Sequence, residues 1–218
     1  MSELAAFKPS IIDVVVLVDA PRILYHYGPN KAKDDVKFSD YQQLGQNGEG
    51  VGYVYMATTW WDARGEGGSE LNVFGKVGNK IHWRMRTLSM GGQADGMSAP
   101  GKPAKPVAYQ VAIKQFVINN GAEYISTPVK KTDTIDSWNF DQNGNLVRQK
   151  INDVYWESEV TKAAAPGDEV VYHMPFHILC SDCSDNGDGG GDNGSGGGGG
   201  GGNNCGGYTH DPIIHTTQ

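Results

Sequence analysis

Ile11-Ile12-Asp13-Val14-Val15-Val16-Leu17-Val18 is the stretch on which the reading of the fold turns. Seven of its eight residues are apolar and six are β-branched, so its side chains are stiff at χ1 and favour an extended backbone. Apolar residues occupy both alternating sets of positions, which predicts a central strand buried on both faces, with Asp13 the exception. A carboxylate in such a strand must find a donor or stay protonated, and Arg84 and Arg86 are the candidate partners of Asp13 in a structural ion pair. At eight residues the run is far too short to cross a membrane, and no run of eighteen apolar residues exists elsewhere.

Asp19 and Pro21 stop the strand, and the chain is read as a short helical turn from Arg22 to Tyr27 that ends at Gly28-Pro29. Almost everything beyond reads as strand and turn. Residues 51–61 are aromatic and β-branched, while 70–74 and 80–88 flank Gly78-Asn79 in the manner of a hairpin. In the second arm Ile81, Trp83, Met85 and Thr87 share the expected core face, and His82, Arg84 and Arg86 share the other. Residues 107–118, 123–128, 135–140, 146–149, 154–160, 169–179 and 208–216 complete about ten strands, with Asp141 to Asn145 a second hairpin turn. The expected fold is all-β: an antiparallel two-sheet β-sandwich of jelly-roll or immunoglobulin-like type, with a Gly-rich insert before the last strand. One domain covers residues 1–218, with residues 181–206 as the Gly/Asp-rich insert inside it.

Eighteen Lys and Arg face 25 Asp and Glu, a formal charge of -7, which removes the counterion-release force used by nucleic-acid binders. Nucleic acid is thereby set aside as a partner, and no membrane span is expected. The start of the chain lacks the basic and apolar regions of a secretory signal, so a cytoplasmic location is expected, with non-classical export left open. Of 31 glycines, 14 fall between Gly187 and Gly207, and removing that segment leaves an ordinary globular composition. Poly-glycine buries no side chain and loses the most entropy on ordering, so exchanging residues 181–206 for a two-residue turn is expected to leave the sandwich intact.

Screens for chemistry return little. Gly48-Glu49-Gly50-Val51-Gly52 opens a strand rather than a helix, contrary to a phosphate-binding loop. His173 and His177 have the spacing of a helical metal pair, but Pro175 between them and the strand context would hold them about 13 Å apart. They read as independent edge or surface residues. Glu157 and Glu159 share a strand face, which is the one arrangement resembling a glycosidase pair; two carboxylates on a solvated face are far commoner. No enzyme is therefore expected. Trp60 and Trp61 are adjacent, so they point to opposite faces, and one of them becomes a candidate platform for a glycan or an oligomer contact.

The chain also resembles the bacterial inclusion body proteins of the AidA and PixA type. The resemblance rests on Ile12-Asp-Val-Val-Val-Leu-Val-Asp19, Ser69-Glu-Leu-Asn-Val73, Val77-Gly-Asn-Lys-Ile-His-Trp-Arg84 with Leu88-Ser89, Ile125-Ser-Thr-Pro128, and the closing Gly207-Tyr208 with Asp211-Pro212-Ile213-Ile214. It implies a single bacterial β-sandwich domain, not known as an enzyme, that accumulates in cytoplasmic inclusions or appears under density-dependent control in bacteria living with hosts. Six methionines argue against methionine storage, and the short turn usual before the last strand is replaced here by the Gly-rich insert. The resulting expectation is a non-enzymatic, self-associating protein, a homo-oligomer or larger assembly needing no cofactor. The alternative is a carbohydrate-binding module using exposed aromatics.

Cys180, Cys183, Cys205 and His210 bracket the insert. If residues 169–179 and 208–216 pair as antiparallel neighbours, Cys180 and Cys205 meet at the neck of the loop. Unbonded thiols are the leading expectation, and of the two bonded outcomes a Cys180 to Cys205 disulfide ranks ahead of a tetrahedral zinc held by Cys180, Cys183, Cys205 and His210. The intervening aspartates admit calcium but lack the spacing of an EF-hand.

Overall fold

The computed structural model describes residues 11–30, 37–44, 52–58, 63–65, 67–68, 71–88, 93–94, 106–165, 167–180, 203–210 and 213–217. Among the described residues the fold is all-β apart from the helix Ala20–Tyr27 and a short 3-10 turn at Phe38–Asp40. Ile11–Val18 is a strand over all eight residues. Its burial alternates: Ile12, Val14, Val16 and Val18 are fully buried, while Ile11 and Asp13 are exposed. The strand expected to be buried on both faces thus has one core face, because its sheet is covered by the rest of the body on one side only.

That sheet has five strands in the order Val129–Phe140, Leu146–Glu159, Lys80–Thr87, Ile11–Val18, Val54–Ala57. Ile11–Val18 pairs in parallel with Lys80–Thr87 along its whole length, from Ile11 opposite Lys80 to Val18 opposite Thr87. A second five-stranded sheet runs Val117–Asn120, Val170–His173, Ile213–Thr217, Asn72–Lys76, Ala63–Arg64, and a four-stranded one Gln42–Gln43, Asn203–Thr209, Phe176–Cys180, Tyr109–Ile113. Both also contain a parallel pair, Ile213–Thr217 with Asn72–Lys76 and Asn203–Thr209 with Gln42–Gln43. Gln93–Ala94 and Pro106–Val107 form a separate two-stranded ribbon. Three mixed sheets therefore replace the purely antiparallel two-sheet sandwich.

The departure begins at Gly78-Asn79. The turn is present: Gly78 has φ 87, and the Asn79 side chain accepts from the Lys76 amide at 2.8 Å. It joins no hairpin, because Asn72–Lys76 and Lys80–Thr87 belong to different sheets. Val160 occupies the turn instead, accepting from the Gly78 amide at 2.8 Å and donating to the Asn79 carbonyl at 2.9 Å. The chain thus steps from one sheet to another. Gly75 makes room for this, since a Cβ there would lie 2.7 Å from Val160.

A bent hairpin ties the other two sheets together. Phe176–Cys180 pairs antiparallel with Asn203–Thr209, and Val170–His173 with Ile213–Thr217, as expected for residues 169–179 and 208–216, but in two sheets rather than one. Pro175 breaks the first strand, and the Met174 amide donates to the His210 carbonyl at 2.8 Å across the bend. Between the sheets lies the core: Trp83 donates to the Tyr172 hydroxyl at 3.0 Å, both side chains fully buried, with Phe116 against both rings. Ile81, Trp83, Met85 and Thr87 take the core face assigned to them.

Asp19 caps the helix by accepting from the Arg22 amide at 3.2 Å, Pro21 sits in its first turn, and Gly28 ends it at φ 68. The helix is thus the one read from the sequence, begun two residues earlier. Residues 203–206, assigned to the insert, belong to the strand Asn203–Thr209: Cys205 is 3% exposed, Asn204 hydrogen-bonds His177, and the Asn30 side chain accepts from the Gly207 amide at 2.9 Å. Exchanging residues 181–206 for a two-residue turn removes this strand start. We expect it to lower stability by roughly 2–4 kcal/mol through lost burial and buried hydrogen bonds. An excision ending at residue 200 spares the strand, and chemical denaturation of the two variants will show the contrast.

Candidate functional site

On the outer face of the first sheet, alternation brings charged side chains from three neighbouring strands into one row. Asp13 stands opposite His82, and His82 opposite Glu157, so the imidazole lies between two carboxylates. His82 Nε2 is 2.9 Å from Glu157 and Nδ1 is 3.6 Å from Asp13, with the ring 7% exposed. Lys80 binds the other Glu157 oxygen at 3.3 Å. Arg84 joins Asp13 to Asp153: Nη1 pairs with Asp13, while Nε and Nη2 reach Asp153 at 2.9 and 2.8 Å in a two-point contact. The Tyr155 ring lies beneath this row, 5.0 Å from the Arg84 guanidinium and 4.3 Å from the His82 ring, and its hydroxyl donates to Asp133 at 2.6 Å.

These contacts set the charges. Burial pulls the Arg84 guanidinium down, and Asp153 and Asp13 outweigh it, holding the group above its ordinary value. Burial likewise opposes ionisation of Glu157, but the hydrogen bonds and charges of His82 and Lys80 prevail and its carboxyl sits below the usual range. The bond to Asp133 pushes the Tyr155 phenol up to about 12. Every carboxylate of the row is occupied by a cation or an imidazole, which is the chemistry of a brace between strands rather than of an acid and base awaiting a substrate. Glu157 and Glu159 do share a strand, but Glu157 is held in the row and Glu159 is exposed.

Of the two arginines named as partners for Asp13, Arg84 reaches it and Arg86 does not. Arg86 lies opposite Leu17, four positions along the strand from Asp13, and contacts Asp153 at 3.5 Å. Asp13 itself is 55% exposed at its side chain, so no donor was obligatory. His82, Asp153 and Tyr155 were missed; the alternation of His82, Arg84 and Arg86 against Asp153, Tyr155 and Glu157 was the available signal.

The cysteine set does not assemble. Cys180 is disulfide-bonded, while Cys205 keeps a buried thiol whose pKa burial pushes up to about 11. The Cys180 to Cys205 disulfide is therefore not formed. A β-bulge is the reason: Cys180 faces Asn203, Leu179 faces Asn204 and Ile178 faces Gly206, which leaves Cys205 as the extra residue with no opposite number. A disulfide sulfur carries no thiolate for zinc, which leaves the set short of its four ligands. No cluster of three or more metal-ligating side chains occurs among the described residues. Cys183, Trp60 and Trp61 lie outside the described residues. His177 is buried rather than at a surface, bound by the Tyr41 hydroxyl at 2.9 Å and by Asn204 at 2.9 Å, and His173 sits in a different sheet.

Much of the exposed apolar surface among the described residues lies on the hairpin of Val129–Phe140 and Leu146–Glu159. Its register runs unbroken from Val129 opposite Glu157 to Phe140 opposite Leu146. The neighbouring strand Lys80–Thr87 pairs only with Trp156 to Glu159, so the rest is a two-stranded arm. The turn is the one expected at Asp141 to Asn145, with the Asp141 carboxylate accepting from the Asn143 and Asn145 amides, which holds its pKa below the ordinary value. The arm is much longer than the hairpin read from the sequence, which took residues 135–140 and 146–149.

A family model described as PixA, inclusion body protein, matches residues 10–216. The chain belongs to this family of inclusion body proteins. Among solved structures, the crystal structure of an inclusion body protein of the PixA family from Burkholderia cenocepacia J2315 superposes with a TM-score of 0.58 over 95% of each chain at 13% identity, a likeness of fold. No curated protein matches the sequence.

Replacing Arg84 by Met strips the buried Asp153 of its two-point contact. It should destabilise the protein by about 2–3 kcal/mol, with part recovered in a double variant that also carries Asp153→Asn. Because Glu157 titrates lower in the folded state, its contribution is complete above the ordinary carboxylate range and is lost as pH falls through the lowered value. Glu157→Gln should therefore flatten the acid limb of stability against pH, measured by denaturation from neutral pH down through the carboxylate range.

Proposed function

We propose that this is a non-enzymatic structural protein that associates with copies of itself in cytoplasmic inclusions, and that the β-arm is the association element. The observation that carries the reading is the distribution of exposed apolar side chains. Of the twelve large exposed hydrophobics among the described residues, seven lie on the arm, Ile135, Trp138, Phe140, Leu146, Val147, Ile151 and Val154, and Val129 lies at its root. A solvated monomer rarely concentrates apolar surface in this way, and a two-stranded ribbon is only marginally stable in water without a covering partner. Family membership supports the same kind of protein, and assembly of this sort needs no cofactor.

Trp138 favours the second reading, a glycan-binding module. Its ring is 57% exposed, with the Arg148 guanidinium 5.9 Å from the ring centre and Asp136 paired to that arginine, a flat aromatic beside hydrogen-bonding groups.

Simultaneous Trp138→Ser, Phe140→Ser and Leu146→Ser changes touch no core residue. The expected result is a thermal midpoint close to that of the parent and a shift in sedimentation velocity from large species to smaller ones. An unaltered sedimentation profile would remove the apolar side chains of the arm from the assembly, and a reproducible glycan-array signal lost in Trp138→Ser would favour the second reading.

A further inference from the structure

The arm offers an edge as well as faces. Val129–Phe140 ends its sheet and pairs only with Leu146–Glu159, so along its outer side alternate backbone amides and carbonyls have no ladder partner among the described residues. Twelve residues of open strand edge form a template for another strand. The sequence of that edge, Val129-Lys130-Lys131-Thr132-Asp133-Thr134-Ile135-Asp136, is basic near the body and acidic further out. Two copies laid parallel in register would set lysine on lysine. Laid antiparallel, the basic stretch of each meets the acidic stretch of the other.

Resting on the reading of the arm as the association element, we propose that the occupant of this edge is the same edge of a second copy, paired antiparallel about a two-fold axis at Thr132. Such an axis stands perpendicular to the sheet, so opposed residues come from the same face and have the same parity. Centring on Asp133 sets Asp133 against itself, and centring on Asp136 does the same for Asp136. Centring on Thr132 sets Lys131 opposite Asp133 twice, Val129 opposite Ile135 twice and Lys130 opposite Thr134, with no like charges opposed. All of these residues are exposed in the single chain. The bond from the Tyr155 hydroxyl engages one oxygen of Asp133 and fixes the carboxylate on the face that Lys131 shares.

The test is charge reversal with mixing, on the full chain. Lys131→Glu alone places a glutamate against Asp133 at both contacts, and Asp133→Lys alone places a lysine against Lys131. Each variant should associate roughly tenfold more weakly in sedimentation velocity. In an equimolar mixture of the two, the introduced glutamate of one copy faces the introduced lysine of the other, and the unchanged Asp133 of the first faces the unchanged Lys131 of the second. Opposite charges meet at both contacts, so the mixture should restore the parent profile. Restoration also shows that both variants fold. As a measurement independent of Asp133, Thr132→Cys should give a covalent dimer on oxidation, and Ser137→Cys should not. If the mixture stays as dissociated as its components and Thr132→Cys gives no dimer, the edge pairing is wrong. The apolar reading of the arm survives that result if the serine variant of Trp138, Phe140 and Leu146 still loses association, and falls with it if that variant does not.

Discussion

Eight consecutive backbone pairings between Ile11–Val18 and Lys80–Thr87 hold this molecule in its arrangement. They fix which residues of the two strands share a face: Ile12, Val14 and Val16 lie with Ile81, Trp83 and Met85 inside, and Asp13 lies with His82 and Arg84 outside. A slip of one residue would exchange the two sets, burying the charges and exposing Trp83. The parallel sense of the pairing also forces the chain between the two strands to cross over. That crossing places the helix Ala20–Tyr27 and the strand Asn72–Lys76 where they are.

The core face, the helix with its cap and stop, and both turns at Gly78-Asn79 and Asp141 to Asn145 were legible because local chemistry dictates them. The sheet composition was not. A turn signal states that the chain reverses, and only the partners of the two arms decide whether they pair with each other; here Val160 takes the inside of the Gly78 turn, and strands far away in sequence complete the sheets. Residues 169–179 and 208–216 read as one strand each because Pro175 and Pro212 are single residues in otherwise extended sequence. The bend at Pro175 divides the pair between two sheets.

The outer face was half legible. Alternation placed Arg84 outward and made it a partner for Asp13, while the contribution of Asp153, Tyr155 and Glu157 depended on which strand would lie beside Lys80–Thr87, a matter of long-range pairing. The neck disulfide failed on one bulge residue, below the resolution of any pattern argument. The arm was underestimated for a different reason: its polar and apolar residues are mixed on both faces, so periodicity does not distinguish a projecting ribbon from a loop. A strand that belongs to no core leaves no core pattern.

Cys180 and Asn203 stand opposite one another in adjacent strands, so the two ends of the segment between them are held only about 5 Å apart. For a loop closed by such a pairing, the entropic cost grows only with the logarithm of its length, about 0.6 kcal/mol for each doubling. The locus therefore behaves as a cassette: the fold is nearly indifferent to how long or how structured the inserted segment is, provided its two ends lie close together. On this reasoning the segment tolerates changes of length without a change in the core, and a foreign domain with adjacent termini fits in its place.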